Sequence, residues 1–126
     1  IMVHSTLAKG YLSGKYDRNH QFPSDDERSE FKQYQGSDFD RYMDAVEDLK
    51  DIAREKSCSL VELAIAWALR KTEVSTALVG IKKASHIDAP LAAGDRNLAL
   101  EDIAKIDAVL EKHGLENLSP FEWQIV

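Results

Sequence analysis

The sequence predicts an α/β fold in which short parallel strands are separated by amphipathic helices. Apolar, β-branched runs occur at residues 1–5 and 74–79, and apolar residues recur at helical spacing between and after them. The second run ends at Gly80, which is typical of a parallel strand buried on both faces. Two strands are too few for a stable sheet. We therefore expect the chain to be part of a larger fold or to borrow strands from a partner.

The first strand, at residues 1–5, is followed by a long polar segment from residue 14 to 38. A loop of this length is usually functional or mobile, and its acidic run at residues 25–30 is expected to be solvated. Ser37 or Asp38 is then placed to cap a helix that continues to about Glu55.

A second helix is predicted to begin at Ser57 or Ser59. Glu62 stands three residues after Ser59, as in a capping box. Residues 64–69 are apolar on nearly every side, so this helix is expected to be buried on several faces, with Trp67 in the core.

The remaining elements are a strand at residues 74–79, a helix at 84–93 and an amphipathic helix at 98–112 with Gly114 at its C-terminal cap. We expect one domain over residues 1–114 and a tail over 115–126, which contains Phe121 and Trp123. Such a tail could border a substrate pocket or pack on a neighbouring molecule.

Composition excludes several classes of function. Lys and Arg number 16 and Asp and Glu number 22, so the formal net charge is −6, which disfavours nucleic acid and anionic membranes as partners. No apolar run approaches the length that spans a bilayer. The single cysteine, Cys58, excludes an internal disulfide and a cysteine-based zinc site, which favours a cytoplasmic location.

Two strand exits carry residues suited to an anion. Gly80 is followed by Lys82, Lys83 and a predicted helix N-terminus, which is an arrangement that favours phosphate. Gly10 and Gly14 lie among small polar and basic residues after the first strand. Each signal has a simpler interpretation, an ordinary turn with solvated lysines, but both lie at the C-terminal ends of predicted parallel strands, where α/β folds bind ligands.

Three segments resemble the aldo-keto reductases, in the same order and with similar gaps. Residues 5–16 resemble S-P-L-A-x-G-L-L-T-G-K-Y, with Thr6 in place of proline. Residues 60–69 resemble the helix x-x-Q-L-A-L-A-W-x-L, and residues 79–91 resemble I-P-G-x-R/K-x-x-x-Q-x-x-x-N-L. In the last segment His86 and Pro90 stand where the family has Gln and Asn.

The resemblance implies an oxidoreductase with a TIM (β/α)8 barrel that reduces carbonyl groups of aldehydes or ketones with NADPH. The chain would supply the C-terminal half: the last two barrel strands, the crossover helices and the C-terminal helix, about half of a barrel of about 250 residues. The family's catalytic Tyr, Asp, Lys and His would lie upstream, so no catalytic residue is expected here and the isolated chain is expected to be inactive.

The resemblance also implies roles toward the cofactor. Ser5 and Leu7 would line the path of the pyrophosphate, Gly80 would let the backbone pass under the adenosine, and Lys82 would hold the 2′-phosphate. The expected cofactor-binding residues are Ser5, Leu7, Lys9, Gly10, Lys15, Gly80, Lys82, Lys83 and His86. No metal site is expected, because His86 and Asp88 lack the further ligands that a metal needs.

Two other functions stay open. The chain could be a stand-alone, non-catalytic half-barrel that binds a nucleotide or a protein partner, or a structural subunit like those built on this barrel around channels. The protein partner expected for the chain is the missing N-terminal half-barrel, or a second copy joined through open strand edges. The small-molecule carbonyl substrate itself is not specified by these residues.

Overall fold

The structure, a computed structural model, describes residues 1–116. Its elements follow the predicted α/β order, with more helix than strand. The strands and helices are β1 (Met2–Val3), α1 (Gly36–Glu55), α2 (Leu60–Ala68), β2 (Thr76–Ala77), α3 (Asp88–Gly94) and α4 (Leu100–Lys112). Short 3-10 turns lie at Ala8–Ser13, Glu27–Glu30, Lys32–Tyr34 and Ala84–His86. Both strands are shorter than their apolar runs.

The two strands pair in parallel, as predicted. Met2 is opposite Thr76, and Val3 is opposite Ala77. The amide of Leu78 donates to the carbonyl of Val3 at 2.8 Å, which extends the ladder beyond the paired residues. Within the described residues these strands form a sheet of two, so each has one edge without a neighbour. A parallel pair of this length depends on other packing for its stability.

Helix α1 buries one apolar face in the core, as its spacing predicts. Its buried residues are Phe39, Tyr42, Met43, Ala45, Val46, Leu49, Ile52 and Ala53. The predicted cap at Ser37 or Asp38 is wrong. The helix begins at Gly36, after an extended Gln35 whose side chain makes no capping bond. The left-handed φ of +53° at Gly36 turns the chain into the helix, and Asp38 falls in the first turn, where its charge suits the helix dipole.

Helix α2 begins with the predicted capping box, and the cap is Ser59. The Glu62 amide donates to Ser59 Oγ at 3.1 Å, and the Ser59 amide donates to Glu62 Oε2 at 2.8 Å. Glu62 also pairs with Arg96 at 3.2 Å, which ties the start of α2 to the chain after α3. These hydrogen bonds, with those from Ser59 the largest, lower the pKa of Glu62.

The predicted helix over residues 84–93 is wrong in extent. The structure divides it into the 3-10 turn at Ala84–His86 and the helix α3. Pro90 is consequently the third residue of α3. Amides in the first turn of a helix have no partner within the helix, so the missing N–H of proline leaves no hydrogen bond unmade.

The segment from residue 14 to 38 packs against the helices, while none of residues 25–30, the acidic run expected to be solvated, is fully buried. Its aromatic residues Tyr16, Phe31 and Tyr34 are buried. Tyr11 stacks between Tyr34 and Tyr42, with ring centroids 4.5 and 4.8 Å away. Burial holds the pKa of Tyr11 well above its usual range. The aromatic contacts of this segment hold the preceding 3-10 turn, Ala8–Ser13, because Tyr11 of that turn stacks on Tyr34.

Helix α4 packs against α1, and a polar contact joins the two near each end of α4. Lys56 pairs with the buried Asp102 at 2.9 Å, and Asp48 accepts a hydrogen bond from His113 at 2.8 Å. Gly114 follows the helix with a φ of +65°, as expected of a C-terminal cap. Residues 117–126, with Phe121 and Trp123, lie outside the described residues, and the boundary at residue 114 stays a prediction.

Trp67 is half-buried, with its indole N–H donating to Asp107 at 3.0 Å, so it lies at the edge of the core rather than inside it. Among the helices of residues 1–116, none combines the length and the apolar character needed to span a membrane.

Ser59→Ala is expected to lower the free energy of unfolding by about 1 kcal/mol, because the variant loses the acceptor for the Glu62 amide. Urea unfolding of the full-length protein measures this loss. Ser24→Ala, at an exposed serine outside any helix, is the matched control and should change stability little. Equal losses in the two variants would contradict a capping role for Ser59.

Candidate functional site

An open pocket of about 500 Å³ lies at the C-terminal ends of both strands. Its volume is within the range of small-molecule sites. It is lined by the exits of β1 and β2 and by the turn at Glu27–Glu30; the lining residues are Ser5, Thr6, Leu7, Lys9, Gly10, Ser13, Asp26, Glu27, Arg28, Leu78, Gly80, Ile81, Lys82 and His86. The pocket thus occupies the place where parallel α/β folds bind ligands.

The pocket brings together all but two of the residues that the resemblance assigns to a cofactor. Ser5, Leu7, Lys9, Gly10, Gly80, Lys82 and His86 line it. Lys15 and Lys83 do not. The Lys15 ammonium lies 4.8 Å from the ring centroid of Tyr16, and Lys83 is exposed beyond the lining residues.

A hydrogen bond between the two strand exits holds the pocket in shape. Thr6 Oγ1 donates to the carbonyl of Leu78 at 3.3 Å, across 72 residues of sequence. Proline, which the aldo-keto reductase segment has at this position, has no side-chain donor. The departure at Thr6 therefore adds a contact between the two exits.

The turn after β1 has an unusual backbone. Ser5, Ala8 and Lys9 have φ values of 56°, 47° and 50°, in the left-handed region that residues other than glycine rarely adopt, and Gly10 has a φ of 108°. Each left-handed non-glycine residue costs on the order of 1 kcal/mol. Such strain persists only where the surroundings fix it, and it is concentrated at functional sites. Here it directs Lys9 and Gly10 to the pocket while Tyr11 enters the core.

Arg28 is a pocket residue that the sequence did not reveal. Its Nε donates to Asp26 Oδ1 at 2.8 Å and its Nη2 donates to Asp26 Oδ2 at 2.5 Å. Its Nη1 donates to the hydroxyl of Tyr16 at 2.6 Å. Arg28 belongs to an acidic run whose composition is that of a solvated surface, so the sequence carried no signal for a site. The aromatic residues on either side of this run, Phe22 and Phe31, are a sequence feature typical of a segment that packs against the core.

The electrostatics of the pocket combine cations and carboxylates. Lys9, Arg28 and Lys82 contribute positive charge, Glu27 pairs with Lys9 at 3.0 Å, and Asp26 pairs with Arg28. Hydrogen bonds from Arg28, with a smaller contribution from the charge of Lys82, hold the pKa of Asp26 well below its usual range. This set of donors can bind an anion, and its guanidinium and ammonium groups suit phosphate.

Other candidate chemistry finds little support within residues 1–116. That part of the chain contains no group of three or more His, Cys, Asp or Glu side chains placed to hold a metal ion. Among these residues, His86 is the one histidine that lines the pocket described above. Burial raises the pKa of the Cys58 thiol, which disfavours the reactive thiolate.

Comparison with known proteins gives a consistent family. The family model for the Aldo/keto reductase family matches residues 1–111. Aldo-keto reductase YhdN of Bacillus subtilis (strain 168) is 29% identical over 111 residues, which cover 87% of this chain and 34% of that protein. A protein of Oryza sativa subsp. japonica named probable voltage-gated potassium channel subunit beta is 35% identical over 117 residues, which cover 88% of this chain and 35% of that protein.

A solved structure extends the likeness to the fold. The glycerol dehydrogenase of Gluconobacter oxydans superposes with a TM-score of 0.84 at 27% sequence identity, covering 94% of this chain and 36% of that one. The chain spans about a third of the length of the curated relatives it matches, less than the half-barrel expected from a typical barrel length.

Gly10→Ala is expected to destabilise the protein by about 1–3 kcal/mol, because a Cβ at this φ would lie 3.2 Å from Arg28 Nη1 and 3.2 Å from Tyr16 Cε2. Gly36→Ala is the matched control, since Gly36 also has a positive φ but an added Cβ there meets nothing within 4 Å. Chemical unfolding of both variants measures the difference. A larger loss for Gly36→Ala would contradict the close packing of Gly10.

Proposed function

The chain belongs to the aldo/keto reductase family and matches part of a TIM barrel of that family, and from this premise we propose that it forms the C-terminal part of an NADP(H)-dependent oxidoreductase. The reaction is the reduction of aldehydes or ketones to alcohols. The observation that carries the proposal is the convergence of Lys9, Arg28 and Lys82 with both strand exits in one pocket.

The donor set fits a dinucleotide phosphate. Ser5 and Leu7 line the path of the pyrophosphate, and Lys9 and Arg28 supply its positive charge. A Cβ built at Gly80 meets nothing within 4 Å, so the backbone there faces open space in which an adenosine can lie. The proposal does not use Lys15 or Lys83, which lie outside the lining.

Lys82 is proposed to hold the 2′-phosphate that distinguishes NADPH from NADH. It lines the pocket just after the exit of β2 and is exposed, and no carboxylate forms an ion pair with it within the described residues. A lysine binds phosphate as a point charge with little directional preference. Its contribution therefore depends on charge and is sensitive to salt.

NADPH, when bound, supplies the hydride of the reaction. The residues of this chain bind and orient it, and we propose that the groups that donate a proton to the carbonyl lie in the remainder of the protein. The cytoplasmic location, and the absence of nucleic acid and membrane from the partners, stay predictions.

Exposed apolar side chains support a larger barrel. Met2, on β1, is 62% exposed and Leu91, on α3, is 65% exposed; Ile1, Ile81 and Ile87 are also exposed. A cavity of about 410 Å³ with a mainly apolar lining separates β1 from α2 and α4. We propose that the preceding strands and helices of the same polypeptide cover this surface, because exposed apolar patches and open strand edges favour association.

A second candidate function is that of a channel-associated subunit. The observation that favours it is the 35% identity to the rice protein named as a probable potassium channel subunit. Both functions share the cofactor pocket, so nucleotide binding does not separate them. Turnover of small aldehydes by the full-length protein separates the two functions, and sustained NADPH oxidation favours the enzyme.

Lys82→Ala in the full-length protein is expected to weaken NADPH binding by roughly 10- to 150-fold, since a charge-assisted contact is worth about 1.5–3 kcal/mol. NADH binding should change little, because NADH has no 2′-phosphate. Fluorescence titration of both cofactors measures the effect, and the NADPH preference of the unmodified protein should shrink as salt is raised.

Lys83→Ala is the matched control for Lys82→Ala. Lys83 is the neighbouring lysine and lies outside the pocket lining, so its loss should cost much less. Equal losses of NADH and NADPH affinity in Lys82→Ala would contradict the assignment of Lys82 to the 2′-phosphate.

The 126-residue chain by itself is expected to self-associate through its open strand edges, since a two-stranded ribbon is marginal alone. Size-exclusion chromatography with light scattering measures this. Met2→Lys should reduce association by placing a charge on the open strand, whereas Leu100→Lys, at an exposed leucine of α4, should reduce it less. A clean monomer with cooperative unfolding would contradict the proposal that further strands are needed.

A further inference from the structure

Two carboxylates lie in the pocket that the proposed function assigns to a polyanion. Asp26 and Glu27 line it together with the cations. Like charges repel across a binding site, and such contacts lower affinity or exclude ligands. Asp26 is the more enclosed of the two, with 25% of its side chain exposed against 72% for Glu27. Its effect on a ligand is therefore the less screened by solvent.

Asp26 occupies the face of Arg28 that a phosphate would use. The two carboxylate oxygens accept from Nε and Nη2 of the guanidinium, at 2.8 and 2.5 Å. These two parallel donors form the fork by which arginine binds carboxylate or phosphate in a bidentate manner. One anion excludes the other from these donors, because each N–H points in one direction.

Arg28 has other contacts that hold it in place without Asp26. Its Nη1 donates to the Tyr16 hydroxyl at 2.6 Å and to the Lys9 carbonyl at 3.2 Å. The guanidinium also lies 4.5 Å from the ring centroid of Phe22. Loss of the carboxylate charge would thus leave Arg28 at the pocket, with Nη2 no longer paired to a carboxylate oxygen.

We propose that Asp26 sets the affinity and anion selectivity of the pocket by occupying the Arg28 fork in the free protein, so that a phosphate group binds only by displacing it. This inference rests on the proposed function, since it concerns the same dinucleotide site. The exchange favours ligands that carry a pyrophosphate, whose several charges outcompete one carboxylate, over ligands with a single negative charge. The low pKa of Asp26 keeps this competitor ionised at neutral pH.

The test is Asp26→Asn in the full-length protein. In the unmodified protein the Arg28 backbone amide donates a hydrogen bond to Asp26 Oδ1 at 3.0 Å, at the start of the 3-10 turn. Asparagine removes the charge but keeps a side-chain oxygen that can accept this hydrogen bond. Titration with NADPH and with inorganic pyrophosphate should show binding tighter by on the order of tenfold, with a steeper loss of affinity as salt rises. Asp25→Asn is the matched control, because Asp25 is exposed and outside the pocket lining.

The outcomes separate this inference from the proposed function. If the unmodified protein binds NADPH and Lys82→Ala weakens that binding, but Asp26→Asn binds NADPH and pyrophosphate no more tightly, the inference is wrong and the proposed function stands. Equal gains in Asp25→Asn and Asp26→Asn would also overturn it. If no variant binds either probe, both proposals fail. If Asp26→Asn does not fold, Asp26→Ser is used in its place, because serine also keeps a side-chain oxygen that can cap the turn.

Discussion

The candidate site depends on the parallel pairing of β1 with β2. Val3 and Ala77 lie opposite each other although 74 positions separate them in the sequence, and this pairing brings the exits of the two strands to one edge. Lys82 and the turn that carries Lys9 then line a common pocket. Because parallel strands require a long crossover, the helices α1 and α2 between them are structurally part of the site, although they contribute no lining residue to it.

The packed segment between β1 and α1 gives the pocket its third side. Tyr16 and Phe22 hold the guanidinium of Arg28, and the Tyr11 stack anchors the strained turn from below. The strain at Ala8 and Lys9 is tolerated because buried aromatic contacts on the same turn offset its free-energy cost. Core packing and pocket geometry are therefore coupled, because a change that loosens the aromatic residues also moves the charges that line the pocket.

Patterns within a few residues of sequence predicted the presence of the helices better than the residues at which they begin and end. The Ser59 and Glu62 capping box and the apolar face of α1 follow from spacing within a few residues, and both are present. The predicted cap at Ser37 or Asp38 failed because Gly36 can adopt a left-handed φ that starts the helix earlier. The helix predicted over residues 84–93 is divided, with Pro90 in the first turn of α3, which a pattern of apolar residues does not specify.

The sequence by itself determined the α/β order, the two glycine-marked strand exits and the family likeness on which the cofactor residues were proposed. Tertiary structure decided which charges meet. Arg28 joins Lys82 at the pocket, and Lys15 lies instead over the ring of Tyr16. The physical reason is that spacing along a chain governs local hydrogen bonds and helix faces, whereas contacts between distant charges depend on how a long segment folds back. Here the packing of Tyr16 and Phe22 against Arg28 places its charge at the pocket, and the acidic run that carries Arg28 shows no periodic pattern that predicts this.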